Sequence, residues 1–144
     1  MSNNDENKFV PIDISIRKVW LKTFKMYNQT ALKYNVSFSH GMVLLSIDKG
    51  GTPSTQLGPK MGMEPTSLSR TLRTMEEQGL IKRIQDDNDK RVVNVTLTPK
   101  GVAQRRIARD EVRIHNEKLY ECIDAGDLEV FFKVLNQIND LTEY

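Results

Sequence analysis

A lone cysteine, Cys122, excludes an intramolecular disulfide, and two histidines leave little from which to build a metal site. The signatures of common enzyme chemistry are missing as well: there is no glycine-rich phosphate loop, no His-Glu-x-x-His and no nucleophile elbow. No apolar run approaches the roughly 20 residues that cross a bilayer. The opening Met1-Ser2-Asn3-Asn4-Asp5-Glu6-Asn7 has neither the basic nor the apolar segment of a secretory leader. These absences set the expectation of a cytoplasmic protein that is not an enzyme, with no membrane partner and no cofactor. At 144 residues, 38% apolar and 28% charged, the chain is long enough to bury one core.

The net charge of +2 conceals an asymmetry. Counting Lys and Arg against Asp and Glu, residues 1–109 hold 18 basic and 10 acidic side chains, a balance of +8, whereas residues 110–144 hold 3 and 9, a balance of −6. A positive field over the first part raises its encounter rate with a polyanion, and the acidic end is kept away from it.

Residues 64–101 carry the most information. Glu64 precedes Pro65 at the first position of a helix, Leu68, Leu72 and Met75 form an apolar stripe, and Gly79 supplies the stop, which predicts a helix over 65–78. Away from the stripe lie Thr66, Ser67, Ser69, Arg70, Arg73 and Thr74, the short hydroxyls and long guanidinium groups that suit phosphates and base edges. A polar helix face is ordinarily just a solvated one. Here two β-prone runs follow, 80–84 and 91–97, separated by the turn formers Asp86-Asp87-Asn88-Asp89. Val93, Val95 and Leu97 alternate with Val92, Asn94 and Thr96, so one face of the hairpin packs while the other stays open. Lys82, Arg83, Lys90 and Arg91 make the ribbon basic. A helix, a charged hairpin and a further helix start form an arrangement suited to gripping DNA.

The stretch Asp89-Lys90-Arg91, five residues, then Leu97-Thr98, continued by Pro99-Lys100-Gly101, resembles the wing of the MarR family of winged helix-turn-helix transcription regulators. Weaker similarity extends over nearly the whole chain. The resemblance implies a mainly α fold with a small β-wing: a winged helix-turn-helix over about 36–98, flanked by dimerisation helices over about 9–35 and 99–144 of a single domain. It also implies that the 65–78 helix enters the major groove and that Arg91 reaches the adjacent minor groove, where negative potential is concentrated. Asp89 then supports Arg91 and does not itself touch DNA. Two positions depart from the family pattern. Asn88 stands near the wing tip where relatives often carry a basic residue, which puts more weight on Lys90. Pro59 falls near the end of a helix expected over 53–61, capped by Thr52, and predicts shortening or a kink there.

Helical spacing recurs outside this region. Ile16, Val19, Trp20, Phe24, Tyr27, Ala31 and Tyr34 follow it near the start, and Leu128, Phe131, Phe132, Leu135, Ile138 and Leu141 near the end. A long helix is expected between them, from 98 to about 123. These faces bury either within one chain or in a two-fold dimer. The resemblance favours the dimer, with two recognition helices roughly 34 Å apart and an operator that is an imperfect palindrome. It further implies repression, and a pocket for an aromatic or otherwise amphipathic small-molecule effector. The residues available to line that pocket are Trp20, Phe24, Tyr27, Tyr34, Phe38, His40 and Met42, although an aromatic stripe at helical spacing serves packing first. His40 lies near the start of a helix expected over 39–49, with Ser39 as its cap.

Three alternatives stand beside this reading. In the first, the winged helix docks proteins without reading DNA, which loss of Arg70, Arg73, Lys90 and Arg91 would separate from DNA binding. Some relatives sense metals, but His40, His115, Glu111 and Cys122 lack the close spacing of zinc ligands, so no metal is expected. Others sense peroxides through a cysteine near the N-terminal dimer helix, where this chain has none, so a small buried apolar role is expected for Cys122.

Overall fold

The computed structural model describes residues 10–142. The opening segment read for a leader, and the outermost residues of the two flanking regions, 9 and 143–144, lie outside the described residues. The elements are α1 (Ile12–Leu32), α2 (Phe38–Ser46), β1 (Thr52–Pro53), α3 (Ser54–Met61), α4 (Pro65–Glu77), β2 (Ile81–Gln85), β3 (Val93–Leu97), α5 (Pro99–Cys122) and α6 (Ala125–Thr142). Residues up to Arg105 form one compact unit and those from Arg106 another, so α5 contributes to both.

The first unit is organised around α4. Leu68, Leu72 and Met75, spaced four and three apart, turn one stripe of this helix inward against Val43, Leu44 and Ile47 of α2 and its end, Leu57 of α3, and Leu80, Ile81 and Val95 of the sheet region. Truncating one of these buried leucines costs about 2–5 kcal/mol. Gly79 ends α4 at φ +71°, a left-handed conformation that places the Leu80 N–H on the Met75 carbonyl at 2.9 Å and the Gly79 N–H on that of Glu76, also at 2.9 Å. Both Met75 and Leu80 are buried, so the helix stop and the core are made by the same residues.

The sheet is antiparallel in the order β1-β3-β2, with Thr52 opposite Val95, and Ile81 to Gln85 opposite Leu97 to Val93. The third strand was not legible beforehand. Thr52, expected as a helix cap, lies instead in β1, fully buried, where its Oγ1 accepts from the Asp48 N–H at 2.9 Å and donates to Asp48 Oδ2 at 3.1 Å. Pro53 occupies the cap position of α3 without a side-chain bond. The α3 helix is not shortened by Pro59 but continues to Met61. The donor lost at Pro59 leaves only the Thr55 carbonyl unmatched, and both residues are exposed, so water can serve. The α2 cap also sits two residues earlier than expected: Ser37 Oγ accepts from the His40 N–H at 3.2 Å.

In the second unit, Asp124 caps α6 by accepting from the N–H groups of Gly126 at 2.8 Å and Asp127 at 3.3 Å. No residue of α6 is buried, and Phe131 and Phe132, in edge contact at 5.4 Å, are about half exposed. Cys122, expected to be buried, is exposed at the end of α5. It sits on the last turn, where the helix stops before any neighbour covers it. Among the described residues, no helix is long and apolar enough to cross a membrane, and no group of three or more His, Cys, Asp or Glu side chains is placed to hold a metal ion.

Candidate nucleic-acid interface

On the face of α4 opposite the core stripe, Thr66, Ser67, Ser69, Arg70 and Arg73 are exposed. Thr74 is half-buried, and its Oγ1 donates to the Arg70 carbonyl at 3.1 Å. That bond fixes the hydroxyl and leaves its lone pairs outward. Arg73 lies 3.9 Å from Glu77, a loose exposed pair, while no carboxylate among the described residues pairs with Arg70. The face therefore presents one unengaged guanidinium, one weakly engaged, and a row of hydroxyls.

The wing is shaped by carboxylates. Asp86 Oδ1 accepts from the N–H groups of Asn88 at 2.9 Å and Asp89 at 3.1 Å, and its Oδ2 accepts from Asn94 Nδ2 at 3.4 Å. The Asp89 and Asn88 amides hold the Asp86 carboxyl below its ordinary range. Asp89 binds Arg91 three times: Oδ1 accepts from the backbone N–H at 3.0 Å and from Nε at 3.1 Å, and Oδ2 from Nη2 at 3.3 Å. The Arg91 guanidinium accordingly lowers the Asp89 pKa. With 92% of its side chain exposed, Arg91 retains outward donors after these bonds are made. Lys90 pairs with Asp87 at 3.5 Å.

Four further contacts brace the unit that carries the helix and wing. Glu76, in the last turn of α4, holds Arg83 of β2 through its side chain and its backbone N–H. Arg83, read from sequence as part of the ribbon's free charge, is thus engaged internally. Asp48 joins the end of α2 to α3 through Lys60 Nζ at 3.1 Å, the contact that most lowers its pKa. Thr98 caps α5: its Oγ1 accepts from the Gly101 N–H at 3.0 Å and donates to the Gly79 carbonyl at 2.6 Å. Lys100 Nζ donates to the Gln78 carbonyl at 2.8 Å. The Thr-Pro-x-Gly run after the wing therefore welds α5 to the end of α4, a role that a cap residue before Pro at the first helical position could have signalled. Glu76 carried no comparable signal, because Arg83 lies beyond the helix end and the turn that follows it.

Of the seven residues considered for an effector pocket, Trp20, Phe24, Tyr27 and Phe38 come together. Phe38 is the centre of an aromatic cluster, 4.9 Å from Phe24, 5.9 Å from Tyr27 and 6.1 Å from Trp20. Met42, four residues on, shares the Phe38 face of α2 by helical spacing. His40 follows the other face with Val43 and Leu44. Tyr34 lines a separate open cavity of about 320 Å³ with Asn35, Val36, Gln78, Leu80, Lys100 and Gln104.

His40 is only 8% exposed, and its Nδ1 has no hydrogen-bond partner among the described residues. Burial lowers its pKa, so the folded state holds it neutral while the unfolded chain takes up a proton near pH 6.5. The unfolded state then binds more protons, and the stability present above that pH is lost as the pH falls towards the folded value. Thermal unfolding between pH 8 and 5 should show a falling Tm in the wild type and a flatter profile in His40→Gln. Parallel profiles would mean that another group dominates.

Residues 39–93 match the model of the MarR family. The chain is similar to the uncharacterized HTH-type transcriptional regulator YhbI of Bacillus subtilis (strain 168), with 21% identity over 88% of this chain and 83% of that one. In fold it is similar to the S. aureus MepR protein in a crystal structure of its DNA complex, with a TM-score of 0.84 at 16% identity, covering 94% of this chain and all of that one. It is similar also to the PcaV transcriptional regulator of Streptomyces coelicolor in complex with its natural ligand, with a TM-score of 0.77 at 18% identity over 99% of this chain and 100% of that one.

Proposed function

We propose that this chain, whose residues 39–93 match the MarR family model, is a transcription regulator of that family and not an enzyme, acting as a dimeric repressor that binds an operator in double-stranded DNA. The observation that carries the reading is the pairing of an exposed Arg70 on α4 with an almost fully exposed, Asp89-anchored Arg91 on the wing of the same compact unit. In this reading Thr66, Ser67, Ser69, Arg70, Arg73 and Thr74 meet the major groove, Arg91 meets the neighbouring minor groove, and Lys90 adds a phosphate contact. The likeness to a MepR–DNA complex supports the docking mode.

Dimerisation is supported by the terminal helices. Neither α1 nor α6 contains a buried residue, although Trp20, Phe24, Phe131 and Phe132 are among their side chains. Apolar faces of that size are generally covered by a partner. A two-fold dimer sets the two α4 helices on successive major grooves, so the operator is an imperfect palindrome with half-sites about one turn apart. Occupancy near a promoter blocks polymerase. The site of action is the cytoplasm.

The effector reading rests on the cluster of Trp20, Phe24, Tyr27 and Phe38 with Met42, and on PcaV having been crystallised with its natural ligand. An amphipathic ligand that binds better when the two winged units are spaced wrongly for DNA would release the operator.

Fluorescence anisotropy of the purified protein on DNA from upstream of its own gene, against scrambled DNA over a salt series, tests the main claim. Tight, sequence-selective binding with a steep negative salt slope is expected. Equal weak binding to both, followed by failure to enrich any site from random DNA, would replace the reading with a protein-docking role.

A further inference from the structure

We propose that Glu76 is a positioning residue for DNA binding, which sets the angle of the wing against the recognition helix through a three-point hold on Arg83; the DNA consequence rests on the regulator reading above. Glu76 Oε1 accepts from the Arg83 backbone N–H at 3.3 Å, and Oε2 accepts from Nε at 2.8 Å and from Nη2. A single carboxylate thus fixes both the main chain and the side chain of one residue. A side-chain pair alone would tether the strand, whereas adding the backbone bond also defines its orientation.

The place of this contact in the fold gives it leverage. β2 is an edge of the sheet, paired only with β3 among the described strands, and the Arg83 N–H that points off that edge finds its acceptor in α4. Glu76 follows Met75, a fully buried residue of the core stripe, so its backbone is held firmly. From Arg83 the hairpin runs to the Asp86 turn and on to Arg91 without another side-chain bond to α4 among the described residues. Rotation of the hairpin about its base would carry Arg91 along an arc and away from the groove that α4 does not occupy. Small misplacements of a contact group are costly when two contacts must be made at once.

Glu76 and Arg83 are both more than a third exposed, so the expected effect is that of a well-formed surface pair, about fivefold in affinity, rather than that of a buried one. Three proteins are compared: wild type, Glu76→Gln and Arg83→Ala. In the free proteins, hydrogen exchange of residues 81–97 should quicken in Glu76→Gln while that of α2 and α3 stays unchanged. On the operator, Glu76→Gln should bind about fivefold more weakly, lose hydroxyl-radical protection at the outer flanks, and keep major-groove protection at the centre of each half-site. Arg83→Ala should behave alike. Unchanged wing exchange with selective wild-type binding overturns the proposal alone. So does tighter binding by Glu76→Gln together with weaker binding by Arg83→Ala, which would make Arg83 a phosphate contact that Glu76 restrains. A wild type that selects no DNA overturns the regulator reading and the DNA consequence with it, and the exchange arm then still decides whether Glu76 holds the wing.

Discussion

Gly101→Ala should destabilise the protein by about 3 kcal/mol or more, which raises the unfolded-to-folded ratio by at least about a hundredfold. The reason is geometric. A Cβ added at Gly101 would stand 2.0 Å from the Leu80 carbonyl oxygen and 3.0 Å from its carbon. The obstacle is backbone and cannot rotate aside. That carbonyl is held by the Thr98 N–H at 3.1 Å, and Leu80 itself lies in the core. Relief requires the start of α5 to move off the end of α4, breaking the bonds of Thr98 to the Gly79 and Leu80 carbonyls. Urea unfolding followed by circular dichroism would measure the loss. Gly126→Ala offers a control, because its nearest neighbour, at 3.0 Å, is the Asp124 carboxylate at the end of a side chain. Equal stability of Gly101→Ala and wild type would mean that α5 does not sit against Leu80 as described.

The largest expected effect on DNA binding comes from Arg91→Ala. Losing one such contact costs about 1–3 kcal/mol, and the proposed two-fold dimer would lose it twice, so affinity should fall about thirtyfold at the low end of that range. The weakening should be similar on all sequences and should reduce the salt slope, as a groove or phosphate contact does. Arg70→Ala should weaken binding comparably but should also relax preference at one position in each half-site, because its side chain projects from the helix read as entering the major groove. Anisotropy titrations on the operator and on singly substituted operators separate the two patterns. If both variants bind like wild type, neither α4 nor the wing is the DNA surface. Neither variant should unfold the protein, since Arg70 has no ion-pair partner among the described residues and Arg91 is engaged only within its own turn.

Periodic features were the legible ones. The stripe of Leu68, Leu72 and Met75, the Gly79 stop and the two long strands all follow from local spacing and turn chemistry, and α4 ends within a residue of its expected limit. Local competition between neighbouring hydroxyls was harder to resolve. Ser37 and Ser39 both suit a cap, and Thr52 suits either a cap or a strand. The outcome was set by tertiary partners, with Thr52 drawn to Asp48 and to a pairing opposite Val95. A two-residue strand such as Thr52–Pro53 has no periodicity of its own. For the interface, the exposed residues of α4 and Arg91 were visible as types in a pattern. The Glu76 hold on Arg83 was not, because its two halves are separated by a helix end and a turn. Of the seven aromatic and polar candidates for a pocket, helical spacing could not tell the Phe38 face of α2 from the His40 face, since both belong to one short, largely apolar helix.

The turn that shapes the wing has a consequence for how a genome would be searched. Asp86, Asp87 and Asp89 set three negative charges against the two positive ones of Lys90 and Arg91, so the tip is close to neutral as a whole. Sequence-independent attachment to DNA depends on the number of phosphates neutralised. A tip of this kind adds little to it beyond Arg91 itself, whose outward donors stay available while Asp89 holds the guanidinium in place. Attachment to incorrect sites then comes mostly from the rest of the basic unit, and the ratio of the times spent on correct and incorrect sites, more than the strength of binding, decides occupancy among millions of competing positions.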